Sequence, residues 1–283
     1  MRSQRSAGRP KTRGGKATGT RSTRVDNNRS CPIFVDFVYL SYQEDNPARE
    51  RNAAVPGRDG AAALWPVFEL RITTERLELT PVADGDLVEL AALARQGIHD
   101  PSSTPFPNLW TDRSGPEFER TFAQYFWSQR ARWSVVSWTL PFVVRWNGVP
   151  IGIQQVEADD FPTLRTVNTS SWVGLGYQGM DFGTEMRAAV LAFAFDALGA
   201  ELALSGAVEY NAASIRVSEK LGYVRNGVRR QSIRGKPVEA VLFRLTRERW
   251  SGGRPVKVRI EGLEPCLDLF DVTDREATVP SIT

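Results

Sequence analysis

The stretch Ser170 to Leu191, SSWVGLGYQGMDFGTEMRAAVL, constrains the fold of this 283-residue chain more than any other. It reads as a strand, then a glycine-rich turn, then the first turns of an amphipathic helix. Gly174, Gly176 and Gly179 precede Gly183, where helical periodicity takes over. Glycine permits close backbone approach and left-handed dihedrals. The first turn of a helix carries unpaired N–H groups and a partial positive charge, which suits phosphate. The stretch is therefore either the seat of a phosphate-bearing cofactor or a tight strand-to-helix connection without a ligand.

The flanking pattern separates a doubly wound sheet from other architectures. Glu69 to Thr80 alternates as a first strand with an irregular middle, and Leu87, Leu90, Ala94 and Ile98 recur at helical spacing. The loop His99 to Trp110 holds three prolines and cannot be regular. Ser114 with Glu117 predicts a capping box for a helix carrying Phe118, Phe122, Tyr125 and Phe126. Leu140–Trp146 and Val149–Val156 flank Asn147-Gly148, a strong hairpin signal, and Leu164–Val173 follows as an antiparallel strand. A long helix from Phe182, a strand at Leu202–Val208 and a helix over Asn211–Leu221 come next. A hairpin around Arg234-Gly235-Lys236 and a last alternation at Val256, Val258 and Ile260 complete the chain. This order gives an α+β fold with a mixed, mostly antiparallel sheet and helices on both faces.

Charge divides the chain. Residues 1–30 carry nine Lys/Arg against one Asp, a net of +8, and the remainder carries 27 basic against 32 acidic residues, a net of −5. The first segment is poor in large apolar side chains and is expected to be disordered. A basic tail can hold nucleic acid or the ribosome through phosphate contacts; a solvated extension is the plainer expectation. Residues 31–63 read as a weak strand, Ile33–Leu40, and a linker. The expected organisation is a tail and linker over 1–63, a main folded domain over 64–250, and a C-terminal strand and tail over 251–283.

No apolar run approaches the roughly 18 residues of a spanning helix. Two cysteines, Cys31 and Cys266, and one histidine, His99, make no metal-binding set, so no metal is expected. So few cysteines fit a cytoplasmic protein, with a single disulfide left open.

Three segments carry a resemblance: TTERL (Thr73–Leu77), YQGMDFGTEM (Tyr177–Met186) and NAASIRVSEKLGY (Asn211–Tyr223). In them the chain resembles the GNAT superfamily of acyl-CoA-dependent N-acyltransferases, and the last matches the N-x-x-S and K-L-G-F/Y pattern of its RimJ/RimL-like branch. The likeness runs from about Leu64 to Trp250. WPVFELRITT (Trp65–Thr74) and LFRLTRERW (Leu242–Trp250) are similar to a mycobacterial member described as a succinyltransferase. The resemblance implies acetyl-CoA or succinyl-CoA as acyl donor and an amine acceptor, either a small molecule or a protein N-terminus. An N-terminal acetyltransferase of ribosomal proteins, a catalytically weak CoA-binding regulatory protein, and a nucleic-acid-associated protein stand as alternatives. A homo-oligomer is left open.

By the same resemblance, Trp172, Val173, Gly174 and Leu175 line the pantetheine arm, with an N–H near Val173 polarising the thioester carbonyl. Gln178, Gly179, Met180, Asp181, Phe182, Gly183 and Thr184 hold the pyrophosphate. Asn211 bonds the pantetheine arm, and Ser214 reaches the sulfur as proton donor or orienting group. One position departs from the pattern: Asp181 stands where the superfamily has glycine. A carboxylate beside a pyrophosphate repels it and, at the N-cap, competes for the N–H of Gly183 or Thr184. Asp181 is therefore expected to weaken CoA binding.

N-acylation needs a neutral amine, and deprotonating a lysine-like amine at pH 7 costs about 4–5 kcal/mol. Glu157 and Asp160 are the candidate bases, with Asp159 beside them; each also reads as a solvated turn residue. Ser171 is placed to hold a water. His99 reads as a base, as a partner of a donor carboxylate, or as a loop residue bonded to Asp100. Arg76 and Arg187 are candidates to pair with a succinyl carboxylate, or else to make structural ion pairs.

Overall fold

The computed structural model describes residues 58–272 apart from 107, 254 and 255. The basic tail, the Ile33–Leu40 strand and Cys31 lie outside the described residues. The described strands are β1 Arg71–Thr73, β2 Leu77–Pro81, β3 Trp138–Trp146, β4 Val149–Ala158, β5 Thr166–Val173, β6 Leu202–Val208, β7 Val224–Ile233, β8 Lys236–Thr246 and β9 Arg259–Glu261. The helices are α1 Arg58–Ala62, α2 Leu87–Arg95, α3 Gly115–Ala131, α4 Phe161–Leu164, α5 Phe182–Ala192, α6 Ala212–Lys220 and α7 Arg247–Ser251.

The strands form one sheet in the order β7-β8-β6-β5-β4-β3-β2-β1-β9. Neighbours run antiparallel except β5 and β6, which are parallel. This is the mixed α+β architecture that the element order predicts. Alternation along β3 splits the core in two: Phe142 and Val144 join the cluster beneath α5, while Val143 faces Leu90, Phe118, Phe122 and Phe126 of α2 and α3. Asn147 and Gly148 turn the β3–β4 hairpin with φ of 50° and 77°, the type I′ geometry that matches strand twist. A register shift at Val144/Arg145 leaves Ile151 as an extra residue on β4. From there Ile153 faces α2 and α3, and Val156 faces α5.

Two expectations are corrected. Glu69 to Thr80 is not one irregular strand but a hairpin, with Ile72 opposite Leu79. The chain turns at Thr74–Arg76 because Glu185 of α5 collects the hydrogen-bond donors there, a partner 109 or more residues away in sequence. The capping box of α3 does not form, and Ser114 makes no side-chain cap. Gly115 precedes Pro116, which disfavours the helical region for it, and Gly115 takes φ 59° instead. The first turn is thereby displaced from the geometry a capping box requires.

Past residue 250 the described chain includes one further strand, β9. β9 pairs with β1 in the same sheet. Phe270, fully buried, packs on Trp133, Trp138 and Phe193, and the Trp133 indole N–H donates to Leu269 O at 3.1 Å.

Candidate active site

The site begins where β5 loses one neighbour. β5 pairs with β6 only over Thr166–Asn168, against Leu202–Leu204. β6 continues with β8 as far as Val208, and β5 continues with β4 as far as Val173. The two parallel strands therefore diverge beyond Asn168 and leave one edge of β5 open over Thr169–Val173. The ladder fixes which groups face that opening. Gly174 N–H donates to Ile151 O at 2.9 Å, which makes Gly152–Val173 a non-hydrogen-bonded pair. The N–H and C=O of Val173 consequently point away from β4, toward the gap, as do those of Ser171. Gly152 lets β5 lie this close: a Cβ there would sit 2.2 Å from Trp172 O.

At the end of β5 the chain enters the glycine-rich turn. Gln178 does not aim its amide at a ligand. Its Nε2 donates to Val173 O at 2.8 Å and to Ile98 O at 2.9 Å, tying the turn to the loop after α2. Beyond it, Gly179 and Asp181 adopt φ of 78° and 61°. Such left-handed residues within a turn make a concave arc of N–H groups that suits an anion. Among the described residues, the N–H groups of Gly179 to Gly183 donate to no protein carbonyl, and the arc ends on the N-terminus of α5. The Phe182 side chain itself is core, packed on Trp146. Leu175 and Met180 are exposed.

Asp181 behaves differently from the sequence expectation. It occupies the N-cap position but makes no side-chain cap, and its carboxylate turns to Lys220 Nζ at 2.5 Å. Lys220 holds the carboxyl below its ordinary range, with a smaller contribution from Arg76. The out-of-pattern negative charge is thus paired within the protein.

Asn211 caps α6, its Oδ1 accepting from Ser214 N–H at 3.1 Å. Ser214 is half-buried, and its hydroxyl has no protein partner among the described residues. The Asn211 oxygen thus serves the helix with one lone pair, and among the described residues its amide N–H groups have no protein partner and remain for a ligand.

On the face carrying α2 and α3, a cavity of about 380 Å³ opens against Ser170, Ser171 and Trp172, the same stretch that lost its β6 partner. Its walls include Phe106, Trp110, Phe118, Phe122, Phe126 and Trp172. The proline-rich loop that supplies Phe106 and Trp110 is held from the other end of the sheet. Arg234, in the β7–β8 turn, bonds both Asp112 oxygens at 2.9 and 2.6 Å and Pro101 O at 3.1 Å, and Tyr210 O–H donates to Thr104 O at 2.6 Å.

The candidate bases separate. Asp159 and Asp160 are exposed in the turn after β4, at the end of the sheet remote from Val173. Glu157 pairs in register with Asn168, five residues and about 17 Å along β5 from Val173. It is not at the gap, but it reaches the cavity through a chain. Asn168 Nδ2 donates to Glu157 Oε1 (2.8 Å), Gln155 Nε2 donates to Glu157 Oε2 (3.0 Å), and Tyr125 O–H donates to Gln155 Oε1 (2.7 Å). Tyr125 and Gln155 both line the cavity. Burial pushes the Tyr125 phenol up, against a smaller lowering by the Gln155 bond. His99 is a loop residue, its Nδ1 on Asp100 O at 2.8 Å and Nε2 on Thr111 Oγ1 at 2.9 Å.

The two arginines also part. Arg76 is spent on Glu185 and on Met180 O. Arg187 of α5 is 4% exposed and, among the described residues, hydrogen-bonds only to hydroxyls: Ser218 at 3.0 Å, Ser171 at 3.4 Å and Ser205 at 3.5 Å. Its Nε is buried without a partner, as is Gln154 Oε1, whose residue stands opposite Ser171 on the neighbouring strand. Burial pulls the Arg187 pKa down and pushes the nearby Tyr223 phenol up. No sequence signal distinguishes this arginine from a surface one; tertiary burial alone does. Tyr125 and Gln155 escaped sequence reading too, because a helix tyrosine and a strand glutamine are ordinary until they face one cavity.

Among the described residues no group of three or more His, Cys, Asp or Glu could hold a metal, and no helix is long and apolar enough to cross a membrane. The family model of the acetyltransferase (GNAT) domain matches residues 76–224. The fold is similar to a GCN5-related N-acetyltransferase from Brucella melitensis, with a TM-score of 0.51 and 19% identity over 64% of this chain and 80% of that one. It is similar to a spermidine N-acetyltransferase SpeG chimera from Vibrio cholerae and hSSAT, with a TM-score of 0.51 and 15% identity over 63% of this chain and 100% of that one. A GNAT-family acetyltransferase from Bacillus anthracis matches with a TM-score of 0.50 and 14% identity, over 63% of this chain and 99% of that one. Likeness at these identities concerns the fold.

Proposed function

This chain belongs to the GNAT acetyltransferase family and is an acyl-CoA-dependent N-acyltransferase, and from that premise we propose how its residues divide the work. The observation that carries the reading is the opening of β5 from β6 directly before the unpaired N–H arc of Gly179–Gly183. The pyrophosphate of the donor sits on that arc, and the pantetheine arm extends β5 along its open edge over Ser171–Val173. Val173 N–H, turned toward the gap, polarises the thioester carbonyl and stabilises the oxyanion as the amine adds. The amine nitrogen forms the new C–N bond, the C–S bond breaks, the amine proton leaves to solvent, and Ser214 relays a solvent proton to the departing thiolate, giving its own and taking one back in the same step. Asn211 orients the pantetheine through its remaining amide N–H groups.

Arg187 supports the finer reading of the donor as succinyl-CoA. A buried cation without a carboxylate is costly unless something anionic meets it, and Ser171, which contacts it, borders the gap where the acyl group lies. Calorimetry with CoA, acetyl-CoA and succinyl-CoA, followed by amine-dependent thiol release, tests the proposal. Binding of the CoA esters and a Ser214→Ala variant slowed in thiol release with unchanged donor affinity are expected. Absence of binding to every CoA ester would overturn the reading. Arg187→Met is expected to lower succinyl transfer relative to acetyl transfer; an unchanged ratio removes Arg187 from donor selection and leaves acetyl-CoA as the donor.

A further inference from the structure

The cavity beside β5 has a composition and a hydrogen-bond polarity that specify what enters it. Seven aromatic side chains wall it, Tyr125 among them, with Trp110 at its centre: its ring centroid lies 5.6 Å from Phe106, 5.9 Å from Phe122 and 6.2 Å from Trp172, at tilts of 41–49°. Rings at such spacing favour another flat ring set among them at an offset or on edge. Among the described residues no carboxylate lines the cavity, and the one charged lining residue is Arg113, 4.0 Å from Glu117. A polyamine would bring several positive charges to a wall that offers none to neutralise them. Aromatic faces attract a single ammonium, but the second and third charges of a polyamine would be left facing Arg113. An apolar wall also disfavours the ammonium form of a single amine, and so promotes the neutral nucleophile that acyl transfer needs.

The polarity comes from Glu157. An ionised carboxylate only accepts. Held by Asn168 on one oxygen, it receives Gln155 Nε2 on the other, which fixes Gln155 Oε1 toward Tyr125. The Tyr125 proton is thereby committed to Gln155, and the phenol oxygen presents only lone pairs to the cavity. Whatever meets it must donate.

Resting on the acyltransferase reading above, we propose that the acceptor is a monoamine carried on an aromatic body, its ring among Phe106, Trp110, Phe122 and Trp172 and its N–H donated to Tyr125 Oη. Glu157 acts as a positioning residue, setting through Gln155 the direction of the Tyr125 hydroxyl.

The test measures thiol release from the preferred acyl-CoA with 2-phenylethylamine, tryptamine, spermidine and a serine-initiated peptide. The two arylalkylamines are expected to exceed spermidine and the peptide in kcat/KM by about tenfold or more, the effect of one well-filled apolar site. Tyr125→Phe is expected to raise the KM for the arylalkylamines roughly three- to tenfold, the loss of one hydrogen bond, with the donor KM unchanged. Glu157→Gln is expected to do the same, because an amide at 157 frees Gln155 to turn its N–H groups toward Tyr125 and reverse the chain. Preference for spermidine or the peptide, or arylalkylamine KM values unmoved in both variants, overturns the proposal while leaving the acyltransferase reading intact. Failure of the protein to bind any CoA ester instead defeats the acyltransferase reading, and this proposal with it.

Discussion

Arg76 and Glu185, 109 residues apart, share three contacts: Arg76 N–H donates to Glu185 Oε1 at 3.1 Å, its Nε to Oε2 at 2.7 Å, and its NH2 lies 2.6 Å from Oε2. Thr74 O–H adds a fourth bond to the same carboxylate at 2.6 Å. Arg76 NH1 also reaches Met180 O at 3.1 Å, and its guanidinium lies over the Phe182 ring at 4.7 Å. One arginine thus ties the β1–β2 turn to both the N–H arc and the first turn of α5. Glu185 is buried, whereas Arg76 is 40% exposed and can regain water when the carboxylate is removed. Glu185→Ala should therefore cost about 1–3 kcal/mol in urea unfolding, and Glu185→Gln, which keeps acceptor oxygen at the turn, less than half of that. A larger share of the loss should appear in CoA affinity than for a core deletion of equal cost elsewhere, and calorimetry on both variants checks this.

Gly152 permits the approach of β4 and β5 beside the gap. A methyl group at 152 would stand 2.2 Å from Trp172 O and 3.0 Å from Val173 Cα, and backbone cannot swing aside as a side chain can. Gly152→Ala is expected to destabilise the fold by about 1–3 kcal/mol and to weaken CoA binding, because it moves the strand that carries the Val173 N–H. Gly176→Ala, at a position with nothing within 4 Å of the added methyl, should leave thermal stability nearly unchanged and serves as the comparison.

Asp181 and Lys220 make a charge pair at the lip of the N–H arc. Taken alone, Asp181 was expected to repel the pyrophosphate; paired, it holds back a lysine that would otherwise attract it. Asp181→Gly keeps the left-handed backbone without strain and frees Lys220, and should bind CoA several-fold more tightly. Lys220→Ala leaves Asp181 unpaired and should bind several-fold more weakly. Both differences should shrink in high salt, since both side chains are exposed. Equal affinities for the two variants would show that this pair has no bearing on the donor.

Cys266 is fully buried, and its Sγ lies 3.1 Å from Gly262 O. Burial, helped by the carboxylates of Asp268 and Glu69, pushes its thiol up to about 11. At pH 8 the thiol is then almost wholly protonated, about one part in a thousand thiolate. In a Cys31→Ser background, iodoacetamide at pH 8 should leave the folded protein unlabelled and should label it promptly in urea. Labelling at equal rates in both conditions would place the C-terminal segment outside the core.

The sequence by itself determined the element types, the Asn147-Gly148 turn and the strand-turn-helix at Ser170–Leu191, because each rests on local periodicity or on dihedrals that few residues adopt. Asn211 and Ser214 were singled out through the resemblance of Asn211–Tyr223 to the GNAT pattern rather than by any local rule. Tertiary structure decided what local rules cannot see. The β1–β2 break depends on Glu185, and the failed α3 cap on a Gly-Pro pair outweighing a cap signal. The charge of Asp181 depends on Lys220 from another helix. The buried cation of Arg187 and the Asn168–Glu157–Gln155–Tyr125 chain exist only once β4, β5 and the helices flanking them are assembled. Hydrogen-bond direction and desolvation are properties of neighbours in space, and those neighbours lie up to more than a hundred residues apart along the chain.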